Sequence, residues 1–474
     1  MDNKHNLNCF RFGKTIFRFN KKLKRKLIKK IKYEPWINFL EKSITSVARI
    51  LPHIEFQNFE VCRLKKRKPS VRWSETNRRS ISVSLSLIPS HKRWKYKKFG
   101  LQFSIRRRSK SRIETKTLDN QEYKIVKIAV HIIRSIFKSE IKNPNIIGSY
   151  VSDIDENIAS EYLKEAHDLR FDLKKLFHQI RKLSEQTYEN NALTFGCIIE
   201  EGGKEKTSND CNFEEFLSKK KYRSLSDGYY TAYLLTSNGQ LLNFLDLEKI
   251  KKVPSGKCFF PEWCRHLVSH SIGRRVAFCL TRQGDILIFE NCTLRFTYRE
   301  GHWQYWNHAH IVNMLTEVAR VQKVPKSIIP AVVRAIYRIA LDISFRRIGG
   351  MLVLLRNRND LRKMAREGDA IEDDKRCELD RKFDQALSLK EIVRLPRSII
   401  LELASLDGAI ILNNHGKILA YGAVLEPRRR GKILSEEGSR TKAAKGASNY
   451  GLVVKVSSDG DITVFSKGSE FLKI

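Results

Sequence analysis

Two short stretches carry residue types suited to handling phosphate. In "LASLDGAIILNNHGKILAYGAV", Asp407 stands where a helix or loop gives way to an apolar strand. Gly408 and Ala409 leave no side chain to obstruct a ligand lying against the backbone. One carboxylate beside small residues suits a nucleotide with its metal, because Mg²⁺ on phosphates takes one or two protein carboxylates. By itself, Asp-Gly-Ala is also a common turn. In "GSRTKAAKGAS", Gly438 and Ser439 precede a helical segment, so backbone N–H groups and the Ser439 hydroxyl face whatever lies on its axis. Helix N-termini favour anions by about 0.3 to 1 kcal/mol, up to ~2 when partly buried, and a charge-assisted hydrogen bond adds roughly 1.5 to 3. Arg440 and Lys442 put cations in this first turn, against the helix dipole. An ordinary capped helix accounts for Ser439 but not for the two cations; a bound phosphate accounts for both.

These residues need a scaffold. "RRIGGMLVLLRN" reads as a Gly-Gly turn followed by a fully apolar strand, preceded by a helix over about Pro330 to Phe345. "AIILNNHGKILAYG" and "LVVKVSSDGDITVF" read as β-hairpins, because glycine at the turn takes positive φ. Helices alternating with apolar strands imply an α/β (mixed α+β) fold with a C-terminal mixed β-sheet flanked by helices. Residues 356 to 384 are highly charged and predict an exposed helix or loop insertion.

Upstream, "AYLLTSNGQLLNF" and "AFCLTRQGDILIF" predict two more hairpins. Ala166, Leu169, Leu173, Leu176, Ile180 and Leu183 are spaced by threes and fours and predict one amphipathic helix over 160–187. His302, His308 and His310 lack a carboxylate or cysteine at a matching interval, and Cys258, Cys264 and His266 are loosely spaced, so structural roles are expected for both groups. The expected division is 1–120, a basic and partly flexible region; 121–325, an α+β sensor-like domain; and 326–474, a nucleotide-binding domain.

Charge is uneven. The 474-residue chain has a net charge of +38, and residues 1–120 hold 33 Lys and Arg against 8 Asp and Glu. Such a front end attracts polyanions, either nucleic acid or an anionic lipid surface. The aromatic residues Trp73, Trp94, Tyr96 and Phe99 sit among these charges and could stack bases. Nine scattered cysteines without a Cys-x-x-Cys pair favour a reducing compartment. No apolar run reaches the roughly 18 residues of a membrane span, and a cytoplasmic location is expected.

Together the two stretches resemble the signatures of the diadenylate cyclase (DAC) domain family, Asp-Gly-Ala followed by Gly-Thr-Arg-His-Arg at the opening of a helix. "GGMLVLL" is similar to the family's opening strand and "LVVKVSSDGDITVF" to its closing hairpin, so the resemblance covers about 330 to 474. It implies synthesis of cyclic di-AMP from two ATP by two domains facing each other as a homodimer, with Mg²⁺ or Mn²⁺. Asp407 would bind the metal and help deprotonate the 3′-hydroxyl. Gly408 and Ala409 would line the nucleotide, Leu425 would touch adenine, and Gly438, Ser439, Arg440, Thr441 and Lys442 would surround the phosphates. Ser457 would lie beside them. This chain departs from the family at Thr441, where the family has His, at Lys442 for Arg and at Ser439 for Thr. Asn449 stands near a usual Glu.

Three readings follow: a diadenylate cyclase controlled by an N-terminal sensor, an inactive regulatory protein binding ATP or a cyclic dinucleotide, and a basic nucleic-acid-binding protein with a passive C-terminal domain.

Overall fold

In the computed structural model all four glycine-centred segments form antiparallel hairpins. The structure describes residues 34–52, 54–63, 71–76, 80–87, 99–107, 118–140, 153–201, 213–249, 258–371, 377–387, 391–426 and 438–474. The basic clusters of the first 120 residues, with Trp94 and Tyr96, fall largely outside these. The chain forms two compact units, residues 1–249 with 270–306 and residues 250–269 with 307–474.

The first unit holds an antiparallel sheet in the order Ile54–Arg63, Phe99–Arg107, Ser80–Leu87, Val71–Thr76. It also holds a seven-stranded sheet whose one parallel pair is Phe195–Glu200 with Thr231–Thr236. The amphipathic segment expected as one helix over 160–187 is two, Ile154–His167 and Leu173–Ser184. Asp168 takes a left-handed conformation (φ 46°) that ends the first. The side chain of Asp172 then caps the second by accepting from the Lys174 N–H at 3.1 Å. The apolar spacing runs through this break because Leu169, Leu173, Leu176, Ile180 and Leu183 all enter one core.

In the second unit, helix α1 (His308–Val321) leads to α2 (Ile329–Arg346), then strand β1 (Gly350–Leu355). Helices α3 (Glu378–Leu387) and α4 (Arg397–Ser405) follow, then β2 (Ala409–Leu412), β3 (Ile418–Ala423), α5 (Ser439–Ala447), β4 (Gly451–Val456), β5 (Ile462–Ser466) and β6 (Ser469–Lys473). Residues 307–324, upstream of the expected boundary, pack with this unit. His308 lies buried, its Nδ1 2.7 Å from the Tyr337 hydroxyl. Among the described residues no three His, Cys, Asp or Glu side chains group to hold a metal, and no helix is long and apolar enough to cross a membrane.

The sheet order is β3-β2-β1-β4-β5-β6, parallel only between β1 and β2. Every residue of β1 is buried, as befits a strand covered on both faces. One face lies under α2 and α4: a Cβ at Gly350 would meet the Ile343 side chain and the Ala404 carbonyl. The opposite face, with Met351, Val353, Ile411 and Val453, lies under α5, which presents Ala444 and Ala447, three residues apart and fully buried. The charged segment after β1 is only partly exposed, since Leu361 and Met364 join this core.

Helix α4 is anchored at its first residue. The Arg397 guanidinium donates to both Asp342 oxygens, at 2.5 and 2.9 Å, to Glu262 at 3.0 Å, and to the carbonyls of Phe260 and Arg338 at 2.7 and 3.1 Å. Asp342, fully buried on α2, also accepts from the Glu262 N–H at 2.7 Å. Burial pushes its carboxyl up to about 6, with Arg397 opposing the rise. Because the folded-state value lies above the unfolded one, the folded protein holds more protons between about pH 4 and 6. Stability from this group is therefore full below about pH 4 and is lost as pH rises through about 6. Urea unfolding at several pH values should show a decline on the order of 2–3 kcal/mol across that window, absent from Asp342→Asn.

Candidate functional site

The strand directions bring distant residues to one end of the C-terminal sheet. Because β2 runs parallel to β1, both begin at that end; because β3 and β4 run antiparallel to them, both finish there. Gly349 precedes β1, Asp407 precedes β2 by two residues, Leu425 follows β3 and Ser457 follows β4. Helix α5 packs on β4 and is followed at once by that strand, which starts beside Leu355 at the far end. The first turn of α5 therefore lies over the same end as these residues.

Asp407 stands clear of the core, its side chain 91 % exposed. Helix α4 stops at Ser405 and Leu406 is extended. Gly408 has φ +129°, and a Cβ there would overlap the backbone of Gly422 and Ala423. The sequence reading assigns this glycine to ligand access. The structure adds a stricter demand, since β3 passes too close for any side chain, and the pairing is irregular between Ala409 and Ile411. Ala409 is buried in the core.

The Arg440 Nη2 donates to Asp407 Oδ1 at 2.8 Å, so the two expected motifs meet directly. The guanidinium, 51 % exposed, lies close against the chain at Gly349, where a Cβ would collide with Nη1. The cation that opposes the helix dipole is thus matched, within the protein, by a carboxylate from another strand end. The N-cap of α5 is Gly438, and no side chain caps this turn. Ser439 is therefore the first helical residue rather than the cap. Thr441 accepts from the Lys455 ammonium, Nζ to Oγ1 2.8 Å, and Lys442 is half-buried one residue on.

Leu425 is half-buried against the core and bridges Ala365. The segment after β1 clips onto this end of β3: Arg366 N–H donates to the Val424 carbonyl at 3.1 Å, and Val424 N–H to Asp369 Oδ2 at 2.8 Å. Ser457 shapes the β4–β5 turn, its hydroxyl accepting from the Asp461 N–H at 3.1 Å. Two neighbours escape sequence reasoning. Gly349 was legible only as part of a Gly-Gly turn, whereas Lys455 left a signal as the one charge in the apolar strand "GLVVKV".

Comparison with known proteins finds a family match for the C-terminal part of the chain. Residues 339–470 match the model of the DAC family, described as DisA bacterial checkpoint controller nucleotide-binding. Among solved structures, the chain is similar to a double mutant of DacA from Staphylococcus aureus, with 21 % identity over 30 % of this chain and 84 % of that one and a TM-score of 0.19. It is also similar to a hypothetical membrane spanning protein from Bacillus cereus, with 16 % identity over 34 % and 88 % of the two chains and a TM-score of 0.22. No curated protein matches. Residues 339–470, which gather Asp407 and Arg440 at one sheet end, are the part of the chain that matches the DAC domain family.

Proposed function

We propose that the C-terminal domain is a diadenylate cyclase that condenses two ATP into cyclic di-AMP, with the N-terminal unit acting as its sensor. The observation that carries this reading is the Asp407–Arg440 pair at the strand ends, held against the backbone of Gly349. An ion pair this exposed contributes no more than about 1 kcal/mol. A triphosphate, with several charged oxygens matching the guanidinium fork, can displace the carboxylate from Arg440. The uncapped first turn of α5 adds N–H donors, and Lys442 adds charge.

Displaced from Arg440, Asp407 is positioned to take the proton of a ribose 3′-hydroxyl. The oxygen then bonds to the α-phosphorus of the ATP held by a second copy, and the bond to pyrophosphate breaks. Repeating the step from the other side closes the ring, so two ATP give one cyclic di-AMP and two pyrophosphates, and a face-to-face dimer is required. Catalysis of this kind rests on positioning and charge neutralisation. Mg²⁺ or Mn²⁺ fits a site with one exposed carboxylate and substrate oxygens, and would neutralise charge on the phosphates. Asp407 is the residue that would hold it.

The 474-residue chain incubated with ATP and Mg²⁺ or Mn²⁺ should yield cyclic di-AMP by mass spectrometry, and Asp407→Asn should lower the rate at least ~100-fold. Its unfolding free energy should stay within about 0.5 kcal/mol of wild type, because the lost contact is exposed. ATP binding without product from the wild type would instead make the domain a receptor. Two glycine variants should separate binding from folding. Gly349→Ala meets only the far end of a flexible side chain, so the KM for ATP should rise several-fold with little change in Tm. Gly408→Ala meets backbone at a forbidden φ and should cost more than about 2 kcal/mol of stability in thermal or urea melts.

A further inference from the structure

The strand β4 carries a lysine in a run that is otherwise fully buried: Gly451 to Val454 and Val456 are all inside, and Lys455 is half-buried. Register places Lys455 opposite Met351, one residue from the start of β1. Side chains alternate along a strand, so Lys455 shares the face of Val453, which packs in the core with Ala444 and Ala447 of α5. Lys455 therefore rises beside the first turn of that helix. There its ammonium donates to Thr441 Oγ1 at 2.8 Å. Thr441 adjoins Arg440, whose guanidinium reaches Asp407.

We infer that Lys455 is a further phosphate-binding residue of this site, and that Thr441 is a positioning residue that holds its ammonium toward the ligand. The inference rests on the nucleotide reading given above and deepens it. A threonine hydroxyl beside an ammonium is a poor ligand for a divalent cation, since the two positive charges repel. The position that in the DAC signature bears a histidine thus serves a different purpose here: it accepts a hydrogen bond from a cation arriving from β4. The same end of the sheet carries Arg440 and Lys442, and cations gathered there from a helix and a strand suit a polyphosphate better than a neutral ligand. An ammonium carries three donors and can hold Thr441 and a phosphate oxygen together.

The test measures binding of ATP and of adenosine to the full chain by calorimetry or ligand-observed NMR, for wild type, Lys455→Gln, Lys455→Arg and Thr441→Val. Lys455→Gln should weaken ATP about 10-fold to 100-fold, the loss of one charge-assisted bond, while adenosine stays within about 2-fold. Lys455→Arg should recover most of the loss, and Thr441→Val should weaken ATP by a smaller factor with adenosine again unmoved. The gap between wild type and Lys455→Gln should narrow as salt rises. If ATP and adenosine weaken together, or neither weakens, Lys455 is a structural residue of the strand and the inference is wrong, although wild-type ATP binding would leave the nucleotide reading standing. If wild type binds no ATP, both fall.

Discussion

Strand polarity is the constraint on which the C-terminal unit depends. A parallel pair, β1 and β2, bounded on each side by an antiparallel neighbour, forces four strand termini to one end of the sheet. Asp407 and Arg440 are far apart in sequence and meet at 2.8 Å only because this order holds. Alternation inside the strands does the rest. The buried alanines of α5 let that helix lie close over β4, and its uncapped first turn opens beside the same termini.

Two groups of charges in this unit serve opposite ends. The Arg397, Asp342 and Glu262 cluster is largely withdrawn from water and saturated with hydrogen bonds, so breaking it is expensive and it fixes the start of α4. With Arg397 anchored, the helix ends at Ser405 and delivers Asp407 to the strand mouth. The Arg440–Asp407 pair is the reverse case, exposed and weakly stabilising, with a guanidinium resting on a glycine. A protein that needs one contact to endure and another to exchange for a ligand is served by placing them at different depths.

Much of this was legible in the sequence where the physics is local. Hairpins announce themselves through turn glycines, and Gly416 and Gly460 do adopt positive φ. The apolar run after Gly349 is a strand buried on both faces, and the two stretches expected to handle phosphate do lie together. What local reasoning missed depends on tertiary contact. One apolar stripe spans two helices because both halves face one core, which hides the break at Asp168. The charged segment after β1 looks exposed, yet Met364 is buried and its neighbours clip onto β3. Asp342 drew no notice in the apolar helix over 330–345, because its partner Arg397 stands 55 positions later. Gly408 answers to a passing strand, which no residue near it in sequence reveals.

A crystal structure of the full chain with a non-hydrolysable ATP analogue tests the central claim most directly. The account predicts the triphosphate across the mouths of β1, β2 and β4, with the Arg440 guanidinium turned from Asp407 to a phosphate oxygen. A nucleotide seated elsewhere, or an Arg440–Asp407 contact left intact beside the bound nucleotide, contradicts it.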